Sequence, residues 1–196
     1  MYDITTLKIL EAAYTEPGIH KRALSKKIGL TMPSIDNALL KLKEILIEER
    51  SGNRLGYRIN YLSDNAVPAI YAVEYSRFSR LPSKIRNSVG DYLSELKDKP
   101  LLFIIFGSYA KGDYTRSSDL DVLLVFQALG NQKEIESIAR KVSMGTNVSF
   151  NPVYLDYGDF ARSFHDKTNR FFMNLRQDKI ILSGVEWWRL LINEEA

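Results

Sequence analysis

The 196-residue sequence predicts an α/β protein of the α+β kind, divided into an N-terminal and a C-terminal module. Apolar residues recur at helical spacing through residues 4–46, and a strand–turn–strand pattern follows at 49–60. Two continuous apolar runs, residues 101–106 and 122–126, are typical of buried strands. The first 60 residues carry 10 Lys and Arg against 7 Asp and Glu, whereas the last 96 carry 11 against 12. This asymmetry indicates two modules with different roles.

The composition is that of an ordinary globular chain, and it excludes several classes of protein. Hydrophobic residues make up 45% and charged residues 26%, and no apolar run approaches the ~18–20 residues that a membrane span needs. The first residues lack the basic and apolar pattern of a signal peptide, so we expect a cytoplasmic protein. The sequence contains no cysteine and two histidines, which excludes disulfides, zinc–thiolate sites and histidine-rich metal sites.

The N-terminal module is predicted to contain three helices and a hairpin. The first two helices span about 3–14 and 20–27, and Thr31 and Pro33 are predicted to start the third. The hairpin turns at residues 51–53. One apolar stripe is predicted to continue along the third helix through Ile35, Ala38, Leu39, Leu42, Ile45 and Leu46.

Residues 23–47, ALSKKIGLTMPSIDNALLKLKEILI, together with the hairpin resemble a winged helix-turn-helix domain, which we assign to residues 1–62. The resemblance implies a DNA-binding domain whose third helix enters the major groove through its N-terminal residues. A homodimer would suit such a domain if it reads two half-sites. The side chains that the resemblance places near bases or phosphates are Lys21, Arg22, Ser34, Asn37, Lys41, Arg54 and Arg58.

A protein-docking or dimerisation role is the alternative for this domain, because winged helices also serve in that way. Acidic residues at Asp36, Glu44, Glu48 and Glu49 dilute the positive field of the module. The net charge of the whole chain, +3, is too small to decide between the two roles.

Residues 63–99 are predicted to form a helical linker between the modules. Two helices are indicated, from about 67 to 78 and from about 85 to 96, with Leu81-Pro82-Ser83 between them. Aromatic residues at helical spacing in the first of them are predicted to pack rather than to bind a cofactor. They are Tyr71, Tyr75 and Phe78.

The residues between the two buried strands carry the chemistry of the C-terminal module, residues 100–196. Gly107 allows close approach of the backbone to a ligand, and Ser108 offers a hydroxyl and an N–H group at a helix start, which suits a phosphate. Asp119 and Asp121 alternate along a strand, so their carboxylates lie on one face about 7 Å apart. Mg²⁺ is the natural cation between such carboxylates, because it takes oxygen ligands and bridges phosphates. The pattern predicts a phosphoryl- or nucleotidyl-transfer site with Asp119 and Asp121 as metal ligands and catalytic residues.

The pattern G-S-x-A-x-G-x-x-x-x-x-S-D-x-D, from Gly107 to Asp121, resembles the signature of the DNA polymerase β-type nucleotidyltransferases, and most closely that of their minimal members. The resemblance implies a mixed sheet flanked by helices, with Mg²⁺ as cofactor and a nucleoside triphosphate, usually ATP, as substrate. It implies that Gly107, Ser108, Lys111 and Ser118 bind the triphosphate, and that AMP passes to an acceptor with release of pyrophosphate. Such proteins are often paired with a partner protein, commonly a HEPN ribonuclease, that they modify or neutralise.

Members of this family usually supply a third carboxylate from a later strand, predicted here within residues 147–155. The alternation of that strand places the position at Ser149 or Asn151, and neither side chain ionises. Asp156 changes face at the strand end, and Asp159 follows in the next helix. A site with two acids is able to bind Mg²⁺ and a nucleotide but lacks the base that activates an acceptor hydroxyl. Two functions therefore stay open: an active nucleotidyltransferase, and a DNA-binding regulator or antitoxin-like protein that senses nucleotide or binds a partner.

The remaining residues are predicted to complete the C-terminal module with a helix from about 156, a short strand at 180–182 and a terminal helix. His165 is expected to be structural rather than an acid or base. Trp187 and Trp188 are expected to form a packing or oligomer contact.

Overall fold

The structure, a computed structural model, describes residues 2–194 and divides into two compact units, Met1–Val73 and Glu74–Ala196. The first unit combines three helices with a small antiparallel sheet, whose strand order is β1-β3-β2. Apolar side chains from all three helices, among them Ile9, Leu24 and Ile35, are fully buried in its core. The elements are α1 (Ile4–Thr15), β1 (Ile19–His20), α2 (Lys21–Ile28), α3 (Met32–Lys41), β2 (Leu46–Ser51) and β3 (Arg54–Ile59).

Side-chain hydrogen bonds explain where the first two helices begin. The Asp3 carboxylate accepts a hydrogen bond from the Thr6 N–H at 2.8 Å, and His20 Nδ1 accepts one from the Ala23 N–H at 3.0 Å. Both side chains act as N-caps, because they satisfy backbone donors that a helix start otherwise leaves unpaired. Gly29 then ends α2 in the left-handed conformation, with a φ of 74°.

The third helix is shorter than its apolar stripe predicts. α3 ends at Lys41, and Leu46 begins β2 instead of continuing the helix. The N–H groups of Ile45 and Leu46 both donate to the Leu42 carbonyl, which forms a turn between the two elements. All three of these apolar residues are buried, so the stripe marks the core side correctly but does not distinguish this turn from a further helical turn.

The second unit contains a four-stranded sheet with helices on both faces. The strands are β4 (Leu102–Ile105), β5 (Leu120–Phe126), β6 (Phe150–Asp156) and β7 (Ile180–Ser183), in the order β6-β5-β4-β7. β5 and β6 run parallel and the other neighbours run antiparallel, so the predicted mixed sheet is confirmed. The helices are α5 (Ser83–Glu95), α6 (Gly107–Lys111), α7 (Gln132–Thr146), α8 (Tyr157–His165), α9 (Arg170–Gln177) and α10 (Val185–Asn193).

The alternation of side chains along the strands builds an apolar layer on each face of this sheet. On one face, α5 and α7 pack over the strands, and the ring of Tyr92 lies 4.9 Å from that of Phe150. On the other face, α8 contacts β5 and β6, and α10 contacts β4. Trp188 is buried there with its ring 5.0 Å from that of Phe164, so the predicted packing role is confirmed for Trp188.

Helical residues that were predicted as a linker are distributed over both units. A further helix, α4 (Ala66–Ser79), begins in the first unit and ends in the second. The next helix, α5, contributes Ile85 and Val89 to the core of the second unit. Within residues 2–194, no helix combines the length and the apolar character needed to cross a membrane.

The prediction that Asn147 begins a strand is wrong. Asn147 caps α7 in the left-handed conformation with a φ of 52°, and its N–H donates to the Ser143 carbonyl at 2.9 Å. Asparagine tolerates this conformation better than most residues. β6 therefore starts only at Phe150.

Candidate functional site

Gly107 holds the start of α6 against the carboxylate of Asp121. β4 and β5 are antiparallel neighbours, and the Phe106 N–H just beyond β4 donates to the Asp121 carbonyl at 3.1 Å. Gly107 has a φ of +67°, and a Cβ at this position would lie 2.2 Å from Asp121 Oδ2. Only glycine therefore fits here, on both conformational and steric grounds. The local geometry brings the start of the predicted phosphate loop against Asp121, the second acid of the Asp-x-Asp pair.

Ser108 lies in the first turn of α6, and Ser118 lies near the end of the loop that connects α6 to β5. The Ser108 carbonyl accepts hydrogen bonds from the N–H groups of Gly112 at 2.8 Å and Asp113 at 3.2 Å, which ends the helix. The Ser118 hydroxyl accepts one from the Thr115 N–H at 2.8 Å. These bonds fix the path of the chain into Asp119, which is exposed and directly precedes β5. Lys111, at the end of α6, is also exposed.

Asn151 occupies the place opposite Asp121 on the neighbouring strand. The two residues are register partners between β5 and β6, and the Asn151 Nδ2 group donates to Asp121 Oδ1 at 2.8 Å. Ser149 lies two residues earlier, and its carbonyl accepts the Leu120 N–H at 2.7 Å. Of the two positions predicted for the missing carboxylate, Asn151 is therefore the one whose side chain contacts Asp121, whereas Ser149 lines the same cavity as Asp119.

The later carboxylates do not reach this point. Asp156 pairs with Phe126, five residues beyond the Asp121–Asn151 pair, which is about 16 Å at the usual rise of a strand. Its Oδ1 accepts the Asp159 N–H at 2.8 Å and caps α8, and Asp159 forms an ion pair with Arg162. Among residues 2–194 there is no cluster of three acidic or histidine side chains that could hold a metal ion.

A cavity of about 830 Å³ opens beside Asp119. Tyr109 and Tyr114 form part of its wall, with their rings stacked at 4.5 Å. Burial raises the pKa of the Tyr109 hydroxyl, and Tyr114 and Asp119 raise it further. The exposed Asp119 is thus accessible from this cavity.

The sequence analysis did not identify Arg77, whose side chain holds α6 by a hydrogen bond to its backbone. Its guanidinium donates to the Ala110 carbonyl at 3.3 Å and to the Lys179 carbonyl, and it pairs with the buried Glu74 at 3.2 Å. Lys179 is itself buried, and desolvation lowers its pKa to about 8. Arg77 belongs to no local motif, and only the tertiary structure brings it to α6.

The residues predicted to bind DNA lie in the first unit, and three of the five basic ones are paired with carboxylates. Lys21 contacts Asp36 at 2.7 Å, Lys41 contacts Asp3 at 3.1 Å, and Arg58 contacts Glu49 at 3.1 Å. Ser34, Asn37 and Lys41 are exposed on α3, and Arg22 and Arg54 are exposed elsewhere in the unit. The carboxylates of these ion pairs neutralise positive charge that would otherwise be available to bind DNA phosphates.

His165 has the structural environment that the sequence predicts. It lies at the end of α8, with its Nε2 3.1 Å from a Glu194 carboxylate oxygen, and its ring packs edge-on against Phe164 at 5.6 Å.

Two solved structures resemble parts of this chain. One is a toxin–antitoxin crystal structure with AMP-PNP, which is 17% identical, covers 58% of this chain and 87% of that chain, and gives a TM-score of 0.42. The other is named "putative nucleotidyltransferase" and comes from Sulfolobus solfataricus. It is 26% identical, covers 45% of this chain and 78% of that chain, and gives a TM-score of 0.31.

The sequence comparisons locate the family in the second unit. Residues 83–179 match the model of the family described as "Nucleotidyltransferase domain". Two proteins of Methanocaldococcus jannaschii, both named "putative protein adenylyltransferase", are similar to shorter segments. The first is 39% identical over 66 residues, which cover 32% of this chain and 67% of the relative. The second is 44% identical over 41 residues, which cover 21% of this chain and 41% of the relative. With the glycine–serine loop and the Asp-x-Asp pair inside the matched region, the chain belongs to the nucleotidyltransferase-domain family.

Proposed function

We propose that the second unit is a Mg²⁺-dependent nucleotidyltransferase that moves AMP from ATP to an acceptor. The contact between Gly107 and the Asp121 carboxylate carries this proposal. This contact places a backbone segment that suits phosphate next to a carboxylate that suits a divalent cation. A site for a nucleoside triphosphate and its cation needs both groups. Membership of the nucleotidyltransferase-domain family supports the same reaction class.

The donor atoms present fit Mg²⁺. Magnesium is usually bound through one or two carboxylates together with substrate phosphates, and Asp119 and Asp121 supply two. In the part of the chain that the structure describes, neither carboxylate has a Lys or Arg partner within 4.0 Å, so no protein cation neutralises the pair. When bound, the Mg²⁺ would neutralise charge on the phosphates of the substrate.

The residues around the pair would position the substrate for transfer. We assign the triphosphate to the backbone N–H groups of Gly107 and Ser108, with Lys111 and Ser118 as further contacts. The acceptor hydroxyl loses its proton to solvent water as its oxygen forms a bond to the α-phosphorus, the bond from that phosphorus to the bridging oxygen breaks, and pyrophosphate leaves. The names of the two Methanocaldococcus relatives favour a protein side chain as the acceptor.

Calorimetry of ATP binding in the presence of Mg²⁺ tests this proposal. We expect wild-type protein to bind and the Asp119→Ala/Asp121→Ala double variant to lose binding. Asp113→Ala, in the same loop, is the control and should bind as wild type does, because Asp113 lies outside the proposed ligand set. Absence of binding by folded wild-type protein, with folding checked by circular dichroism, would contradict the proposal.

For the first unit we propose a DNA-binding winged helix. The exposed positions Ser34, Asn37 and Lys41 on α3, and the cations of the β2–β3 hairpin, support it. Fluorescence anisotropy with a mixed-sequence duplex should show binding whose logarithm falls linearly with the logarithm of salt concentration. Salt-independent binding, or none, would favour the protein-docking role instead.

Asn151 favours a second candidate function, in which the domain senses nucleotide or binds a partner without transferring AMP. An amide cannot accept the proton of an acceptor hydroxyl as a carboxylate base does. Release of pyrophosphate from ATP, measured with candidate partner proteins present, separates the two. Nucleotide binding without pyrophosphate release would favour the sensor.

A further inference from the structure

We infer that the site holds one divalent cation with the nucleotide, and that Asn151 is a positioning residue that orients Asp121. This inference rests on the proposed function and deepens it. A site with a carboxylate at residue 151 would have three acids around the same point, whereas this chain has two acids and one amide.

The position of Asn151 makes it a direct neighbour of the proposed ligands. β6 is an edge strand of the sheet, and Asn151 is exposed on it, directly opposite Asp121. The side chain is therefore accessible to a substrate and not part of the apolar core. Its hydrogen bond to Asp121 Oδ1, at 2.8 Å, joins the two strands across the site.

The chemistry of this hydrogen bond decides which atom of the amide faces the carboxylate. A carboxylate only accepts hydrogen bonds, so the amide must present its N–H₂ group and not its oxygen. The protons of that group occupy the space between residues 121 and 151, where a cation shared by the two would have to lie. Asn151 in this arrangement donates to a metal ligand and is not one itself.

Asp121 is thereby held from two sides. Its Oδ1 receives the Asn151 amide, and its Oδ2 lies against the backbone of Gly107. The plane of the carboxylate is fixed before any ligand arrives, which is the usual task of a residue that supports a metal ligand. One cation between Asp119 and Asp121 satisfies this geometry.

The set of acidic ligands leads to the same number. One divalent cation is satisfied by the triphosphate together with the two carboxylates, and a second cation on the acceptor side would need a further protein carboxylate. Asp156 lies five residues beyond the site along β6, and Asp159 is already paired with Arg162. The part of the chain that the structure describes supplies no third acidic ligand at this point.

Counting bound Mn²⁺ by electron paramagnetic resonance tests the inference on the full chain. The titration is done with α,β-methylene-ATP present, since this analogue cannot be cleaved between its α- and β-phosphorus atoms. We expect one Mn²⁺ per protein–nucleotide complex for wild type and two for Asn151→Asp. We expect Asn151→Ala to bind one Mn²⁺ with an affinity about 10-fold lower, because loss of a supporting hydrogen bond typically weakens metal sites by that factor or more.

Asn131→Asp, at the N-cap of α7, makes the same change of charge away from the site and serves as the matched control. It should bind one Mn²⁺ with wild-type affinity. Two ions in wild type, or one ion in Asn151→Asp, would overturn the single-cation inference. Unchanged Mn²⁺ affinity in Asn151→Ala would overturn the positioning role. If wild type binds neither nucleotide nor Mn²⁺, the proposed function itself fails.

Discussion

The loop between β4 and β5 and the exposed surface of α3 use their charged groups in opposite ways. In the loop region, Asp119 and Asp121 have no Lys or Arg partner among residues 2–194, and an amide and a glycine hold Asp121. On and around α3, the cations predicted to bind DNA are largely paired, as in the contact of Lys41 with Asp3.

This difference indicates how ready each surface is for its proposed ligand. A cation that binds at the two carboxylates displaces no ion pair, because neither has a Lys or Arg partner among residues 2–194. Phosphates that approach α3 must instead displace Asp3 from Lys41 and Asp36 from Lys21. Exposed ion pairs contribute only about 0–1 kcal/mol, so this displacement is a modest cost, but the gain from each phosphate contact is reduced.

The largest effect is expected from Arg77→Ala, which removes the support below α6. The change removes the ion pair between Arg77 and the buried Glu74 and the hydrogen bonds from Arg77 to the carbonyls of Ala110 and Lys179. We expect the free energy of unfolding to fall by about 3 kcal/mol, as for other broken buried ion pairs. Urea denaturation measures this change.

Arg140→Ala is the matched control for Arg77→Ala. Arg140 pairs with Glu136 at 3.7 Å, and its side chain is 69% exposed. Its removal should change the free energy of unfolding by no more than about 0.5 kcal/mol. Equal effects of the two variants would mean that Arg77 does not support α6.

The second-largest effect is expected from Gly107→Ala, which should lower the free energy of unfolding by about 1–3 kcal/mol. The new Cβ would collide with Asp121 Oδ2, and the positive φ would strain any other residue. We also expect calorimetry to show loss of ATP binding, since Asp121 must move. Gly90→Ala is the control, because a Cβ there meets nothing within 4 Å and the residue lies within α5. ATP binding by Gly107→Ala at wild-type affinity would mean that the contact between residue 107 and Asp121 is not needed for the nucleotide.

The glycine–serine loop could be predicted from the sequence because its chemistry is local. Gly107 to Asp121 is a continuous segment, and Asp121 lies within β5 whereas Asp119 directly precedes it. Strand alternation, applied to the strand predicted at residues 147–155, limited the position of the missing third carboxylate to Ser149 or Asn151. Which of the two touches Asp121 depends on the register between β5 and β6, and register is a long-range property that no local pattern encodes.

Arg77 and the end of α3 show where such reasoning stops. Arg77 is separated by 33 residues from the carbonyl of Ala110 that it holds, and by 102 residues from that of Lys179. Leu46 is buried both in the helix that the sequence predicts and in the strand that the structure contains. An apolar spacing records burial, and burial alone does not specify the backbone conformation that achieves it.

Asp3→Asn tests whether the ion pair between Asp3 and Lys41 limits DNA binding by the surface of α3. Asparagine still caps α1, but it no longer pairs with Lys41, which becomes available to a phosphate. We expect affinity for duplex DNA to rise severalfold at low salt, with the slope of log affinity against log salt steeper by about 0.9. Glu16→Gln, which frees Lys27 outside the predicted DNA surface, is the control. A similar rise in both variants would mean that net charge alone sets the affinity.

The smallest effect is expected in the pH dependence of protein stability, and it arises from the carboxyl group of Asp3. The hydrogen bond from the Thr6 backbone, followed by the contact with Lys41, lowers the pKa of Asp3 to about 2, against an ordinary value of 3.8. A carboxyl whose pKa is lower in the folded state stabilises the protein above its unfolded pKa, and this contribution is lost as the pH falls through the folded value. Wild type should therefore lose stability relative to Asp3→Asn between about pH 4 and pH 2, because asparagine caps the helix at every pH. Thermal unfolding of both proteins across this range measures the difference, and parallel curves would show that Asp3 does not stabilise α1 through its charge.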